Sequence, residues 1–106
     1  MSEIALVYVP YGSREAAESA GQKMVAQRLA ACANVLGEGR SSYPWEGAIE
    51  TAAETVTLYK TAPDRREALM AAIAQDHEYD LPAILCWPAE TTQAYADWVR
   101  QETRPA

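Results

Sequence analysis

The sequence predicts an α+β domain whose elements run β-α-β-β-α-β and close on one further helix. Three observations carry that order. Runs of strand length at Ile4–Val9, Thr55–Lys60 and Ala83–Trp87 are apolar or strictly alternating, and proline or polar turns bound most of them. Stretches with helical spacing open at Ser13 and at Pro63 and separate those runs. Between the two helices lie two extended segments instead of one, so a hairpin splits the βαβ pattern. The result is the ferredoxin-like split β-α-β sandwich, with two helices over one face of an antiparallel sheet. Its strand order is 4-1-3-2, which puts strands two and four on opposite edges.

Ile4–Val9 is closed by Pro10 and reads as a strand buried on both faces. Ser13 caps a helix expected to run to about Ala31, with Ala17, Ala20, Met24 and Leu29 inward and Arg14, Glu18 and Gln22 in water. Its many alanines let it lie close on the sheet. The second strand is expected in two pieces, Ala33–Leu36 and about Ser41–Glu50, jointed at Gly37 and Gly39. In the longer piece Tyr43, Trp45, Gly47 and Ile49 would share a side, and Thr51–Glu54 would turn the chain into the third strand. Val56 and Leu58 fall on one face of that strand, Thr57 and Tyr59 on the other. Pro63 and Asp64 suit the first turn of a second helix, whose inner side is Arg66, Leu69, Met70 and Ile73. Asp76–Pro82 is a loop, and Ala83–Trp87 is a last strand between Pro82 and Pro88. Thr91 or Thr92 caps a final helix in which Tyr95, Trp98 and Val99 share a face. The tail, Glu102–Ala106, is expected to fray.

A chain of 106 residues makes one domain, residues 1–106, large enough for its own core. The net charge of −6 repels phosphate backbones and anionic headgroups, so neither nucleic acid nor membrane is an expected partner. No basic leader precedes the first apolar run, and no apolar stretch is long enough to span a bilayer. Two cysteines far apart in sequence do not make a disulfide scaffold, and a cytoplasmic protein is expected.

Few residues offer chemistry. His77, the one histidine, sits in an acidic, aromatic loop (Asp76, Glu78, Tyr79, Asp80) and is either a loop histidine or a ligand. Cys32 and Cys86 are the soft donors, or else small buried apolar groups. On opposite sheet edges they would stand about 14 Å apart, beyond disulfide reach. Neither belongs to a cluster of zinc spacing. Lys60, at a strand end beside Thr61, reads as a lysine that snorkels out of the sheet. Gly37–Ser42 is rich in donors but lacks nucleotide-binding spacing. Tyr43, Trp45 and Trp98 suit anchors of an interface between chains better than the surface of a monomer. No hydrolase, metalloprotease or cysteine-histidine pattern is present, which supports a protein without catalysis.

Five blocks together carry a family resemblance: Arg28-Leu-Ala-Ala-Cys-Ala-Asn34, Ser42-Tyr-Pro-Trp-Glu-Gly47, Lys60-Thr61, His77-Glu-Tyr-Asp-Leu-Pro82 and Tyr95-Ala-Asp-Trp98. In these, in this order, the chain resembles the CutA family of divalent-cation tolerance proteins. The resemblance implies a PII-like homotrimer that takes part in tolerance of divalent metals, copper above all. No metal is required for folding on this view. It implies metal or small-molecule binding between subunits, with His77, Cys32 and a carboxylate such as Asp80 as candidate ligands. Tyr43, Trp45, Lys60, Tyr79 and Trp98 would then line the ligand cleft or interface, with Lys60 placed to hold an anion. The family commonly has proline and glutamate where this chain has Glu78 and Asp80, so the carboxylate stands on a shorter arm. A second expectation from the same resemblance is a PII-like regulatory module that senses a small ligand and signals to a protein partner. A third is a structural trimer whose metal binding is incidental.

Overall fold

The computed structural model describes residues 2–105. It comprises strands β1 (Ser2–Tyr11), β2 (Cys32–Trp45), β3 (Ala48–Thr61) and β4 (Leu85–Thr91), and helices α1 (Arg14–Ala26), α2 (Arg66–Asp76) and α3 (Gln93–Glu102). A 3-10 turn over Pro63–Arg65 leads into α2. The strands form one antiparallel sheet ordered β2-β3-β1-β4, the expected order read from the other edge. Cys32 and Cys86 therefore lie on opposite edges and are unpaired. Met1, and Ala106 of the tail expected to fray, lie outside the described residues.

The odd-numbered face of β1 (Val7, Val9, Tyr11) packs with Tyr59 against Ala17, Ala20 and Met24 of α1 and Leu69 and Ile73 of α2. A Cβ on Gly21 would stand 3.0 Å from the Ala33 Cβ, so the buried helix face comes as close to β2 as side chains allow. On the other face, α3 sets Ala96 and Val99 on Ile4, Ala31 and Ala62 at one end of the sheet. The rest of that face is open. β1 is thus buried on one face, while Leu6, Tyr8 and Pro10 stay half-buried on the other.

β3 reverses the ordinary rule of apolar residues inward. Thr55, Thr57, Tyr59 and Thr61 are buried under the helices, and Val56 and Leu58 point to the open face. The inward polar atoms are satisfied: Thr61 Oγ1 donates to Leu29 O at 2.8 Å, and the Tyr11 and Tyr59 hydroxyls meet at 2.7 Å.

Several boundaries differ from expectation for identifiable reasons. The hairpin turns at Glu46-Gly47, not at Thr51–Glu54, because both residues take positive φ (50° and 84°) and make a two-residue turn between Trp45 and Ala48. Ile49 therefore opposes Pro44, and Glu50 opposes Tyr43, so Ile49 does not share a face with Tyr43 and Trp45. β2 is a single strand with a register shift between Val35 and Glu38, at Gly37; Gly39, the other glycine expected to divide it, pairs in register with Glu54. α1 stops at Ala26 because Arg28 takes φ 60°. The Leu29 N–H then bonds Met24 O and the Arg28 N–H bonds Val25 O, a Schellman closure. Pro88 lies inside β4, which tolerates it because β4 pairs only with β1. Arg66 is exposed, not inward. Thr103 is buried and donates to Val99 O at 2.8 Å, so the tail is tied down one residue past Glu102.

β3 meets β1 only from Thr55 to Thr61; before that, its sole partner is β2. The two strands, 14 residues each, would reach about 46 Å at 3.3 Å per residue. That matches the 46 Å long dimension of the molecule. A two-stranded arm projects beyond the sheet.

Candidate functional site

The loop after α2 folds back on the end of β1. His77 caps the C-terminus of α2 through its backbone N–H, bonded to Ile73 O, and its ring stacks on Tyr11 with centroids 4.6 Å apart. Nε2 donates to Pro10 O at 2.8 Å, and Nδ1 accepts the Tyr79 N–H at 3.1 Å. Both ring nitrogens are thereby used, and the ring is buried. Glu78 Oε1 accepts the Gly12 N–H at 3.1 Å, fixing the loop to the β1–α1 turn. Tyr79 donates its hydroxyl to Glu54 Oε2 at 2.9 Å. Burial and the neighbouring Glu54 carboxylate push the Tyr79 hydroxyl up to about 12. Burial, with the facing Tyr11 hydroxyl, pushes Tyr59 up further. These hydroxyl and imidazole hydrogen bonds form one network that holds the loop.

Cys32 stands elsewhere. It opposes Lys60, which opposes Leu6 on the open face, whereas His77 binds Pro10 and stacks on Tyr11 under the helices. Leu6 and Pro10 are about 13 Å apart along β1, and the two sites lie on opposite faces of the sheet. Asp80 is an exposed loop residue. Within one chain the fold does not bring His77, Cys32 and Asp80 to one ion. Among the described residues, no three His, Cys, Asp or Glu side chains converge as a metal set. An ion bound by Cys32 would need donors beyond His77 and Asp80.

The expected anchors fall on the arm and the open face. Trp45 at the arm's end is 59% exposed, too much for a core residue. Tyr43 reaches Glu50 across the arm at 3.4 Å. Trp98 is exposed and leans on Tyr95 at 5.6 Å, while Ala96 and Val99 take the buried side of α3. The Lys60 ammonium lies 5.8 Å over the Tyr95 ring. Tyr8 and Trp87, 6.5 Å apart, extend the apolar surface with the exposed Leu85. Sequence reasoning passed over Tyr8, Leu85 and Trp87; the signals that could have found them were the even-numbered apolar residues of β1 and the odd-numbered ones of β4, which pair Tyr8 with Leu85 and Leu6 with Trp87.

Fold and site together define a ferredoxin-like α+β domain with a projecting hairpin arm and an uncovered apolar sheet face. The chain belongs to the CutA1 divalent ion tolerance protein family, whose model matches residues 5–102. It is 37% identical over 100 residues to the divalent-cation tolerance protein CutA of Pyrococcus horikoshii, covering 93% of this chain and 97% of that one. It is 32% identical over 100 residues to the chloroplastic protein CutA 1 of rice, covering 93% of this chain. The chain spans only 56% of the length of that rice relative. The crystal structure of CutA1 from Ehrlichia chaffeensis matches it with a TM-score of 0.92 at 30% identity, covering 98% of both chains. No helix among the described residues is long and apolar enough to cross a membrane.

Proposed function

We propose that the chain acts without catalysis, as a homotrimer, in the tolerance of divalent metal ions, with copper bound where subunits meet. Family membership supports the metal role. The observation that carries the assembly is the arm: a two-stranded ribbon is marginal in water by itself, and this one exposes Trp45 and Ile49 at its end. Pairing the arm with a neighbour's free sheet edge would cover it, and the open faces carrying Leu58, Tyr8 and Trp87 would meet in the same assembly. Cys32, half-buried on the edge strand and holding only a 3.6 Å contact to Asn34 Oδ1, is the proposed soft donor. Its thiolate suits reduced copper, and a neighbouring subunit completes the set. Lys60, in no ion pair among the described residues and lying over the Tyr95 ring, would hold an anionic small ligand in the same cleft. The cytoplasm is the proposed compartment, on the two unpaired thiols.

Light scattering tests the assembly and should give three times the 11.6 kDa chain mass. Calorimetry should then give stoichiometric micromolar copper binding that Cys32→Ser weakens. A stable monomer overturns the assembly. Nucleotide binding without any copper binding would turn the reading to a PII-like regulatory module.

A further inference from the structure

The chain is acidic, yet four of its nine basic residues, Arg28, Arg65, Arg100 and Arg104, gather at one end of the fold. Arg28 is committed there to backbone carbonyls of the α3 terminus. The other three line a depression of about 380 Å³ between the 3-10 turn and the end of α3, with Asp64 as its one acidic wall residue. Their guanidinium groups are poorly used. Arg65 makes a single long bond, 3.3 Å to Arg28 O, and its Nε is buried with no acceptor among the described residues. Arg100 has only a 3.6 Å contact to Asp97 on an exposed helix face, and Arg104 has no side-chain bond among the described residues. Three cations facing one carboxylate repel one another, and a buried donor without an acceptor costs free energy.

We infer that this depression is an anion site that takes a small phosphoryl dianion through Arg65, Arg100 and Arg104. Among the described residues, three guanidinium groups face the Asp64 carboxylate, with Asp97 3.6 Å from Arg100 outside the depression, so the wall keeps a net positive charge that a phosphoryl anion offsets. The planar forks of arginine match its oxygens in pairs. The volume accepts a phosphate carrying a small organic group as readily as the free ion. The acidic remainder of the surface disfavours a nucleic-acid backbone. The site uses none of the residues proposed to hold metal.

The test is a phosphate titration of the metal-free protein followed by amide NMR, with ionic strength held constant by chloride. Saturable shifts at Asp64, Arg65, Thr103 and Arg104 with millimolar or tighter affinity are expected. Arg100→Ala/Arg104→Ala changes exposed residues only and should keep the melting temperature while weakening phosphate at least about tenfold. Arg65→Lys keeps the charge but loses the fork, and should weaken it similarly. Glucose 6-phosphate binding more tightly than inorganic phosphate identifies an organic phosphate as the ligand, and equal affinities identify the free ion. Shifts that stay linear beyond 100 mM phosphate (roughly the range of non-specific screening), or unchanged affinity in both variants, overturn the site.

Discussion

Arg28 donates through Nη2 to the Gln101 carbonyl at 2.6 Å and through Nε to the Arg104 carbonyl at 2.7 Å. The same residue, at φ 60°, ends α1 in the place where glycine is the usual choice. One arginine therefore closes two helices, α1 with its backbone and α3 with its side chain. The strain of the left-handed backbone persists because the guanidinium satisfies the Gln101 carbonyl, which α3 would otherwise leave open, and the Arg104 carbonyl just past it. Arg28→Ala keeps the strain and loses both bonds, so stability should fall by about 2 kcal/mol. Arg28→Gly loses the bonds but relieves the backbone, and should cost about 1 kcal/mol less than the alanine. Urea denaturation of the two variants reads the difference directly, and equal losses would remove the backbone half of this account.

The hairpin turn makes a similar test. Glu46 sits at φ 50°, where asparagine is easier to hold than glutamate. Glu46→Asn should raise stability by about 0.5 kcal/mol, and Gly47→Ala at φ 84° should lower it by about 1 kcal/mol or more. Thermal melts of both, with the assembly state recorded, decide it.

These two positions also explain where the sequence was legible. Ile4–Val9, Ser13 and Pro63 are strong local signals, so strand order and helix starts followed from them. Arg28 and Glu46 take left-handed backbones that their residue types do not announce, so the end of α1 and the place of the hairpin turn stayed hidden. On β3, alternation gave two faces but not which was buried. Only the partners of Thr61, Tyr59 and Tyr11 reveal that the polar face turns inward. His77 was recognised as notable, but its two ring bonds depend on Pro10 and Tyr79 meeting it in space.

Alkali should unfold the protein in a defined window. Tyr79 holds its proton to about 12 in the fold against 10.0 for the free side chain, and Tyr59 and Tyr11 are also raised. Between those values the native state binds more protons than the unfolded one, so stability is complete below pH 10 and falls as pH rises toward 12. Tyr79→Phe removes one of these protons and should make the decline shallower. Circular dichroism melts from pH 9 to 12 measure both slopes, and identical slopes would dismiss the Tyr79 contribution.

Trp45 separates assembly from folding. At 59% exposure it adds little to its own chain's core, so Trp45→Ala should leave dilute-state secondary structure intact. As an interface anchor it should weaken the proposed trimer by about 2 kcal/mol per interface. Sedimentation over a concentration series reads that loss. A trimer that dissociates no more readily than the parent would remove Trp45 from the interface.

His77 divides a structural role from a ligand role. Its ring joins the α2 terminus, Pro10 and Tyr79, so His77→Ala should cost about 2–3 kcal/mol in stability by orphaning buried partners and leaving a gap against Tyr11. A copper ion at either ring nitrogen would have to displace one of those bonds, whereas Cys32 gives up only a weak thiol contact. Measured well below the melting point, His77→Ala should therefore leave the affinity for reduced copper nearly unchanged, and Cys32→Ser should lower it at least about tenfold. Competition against a copper chelator gives both numbers. A His77→Ala loss larger than the Cys32→Ser loss, in protein shown to be folded, would make the imidazole a ligand and require the loop to open when copper binds.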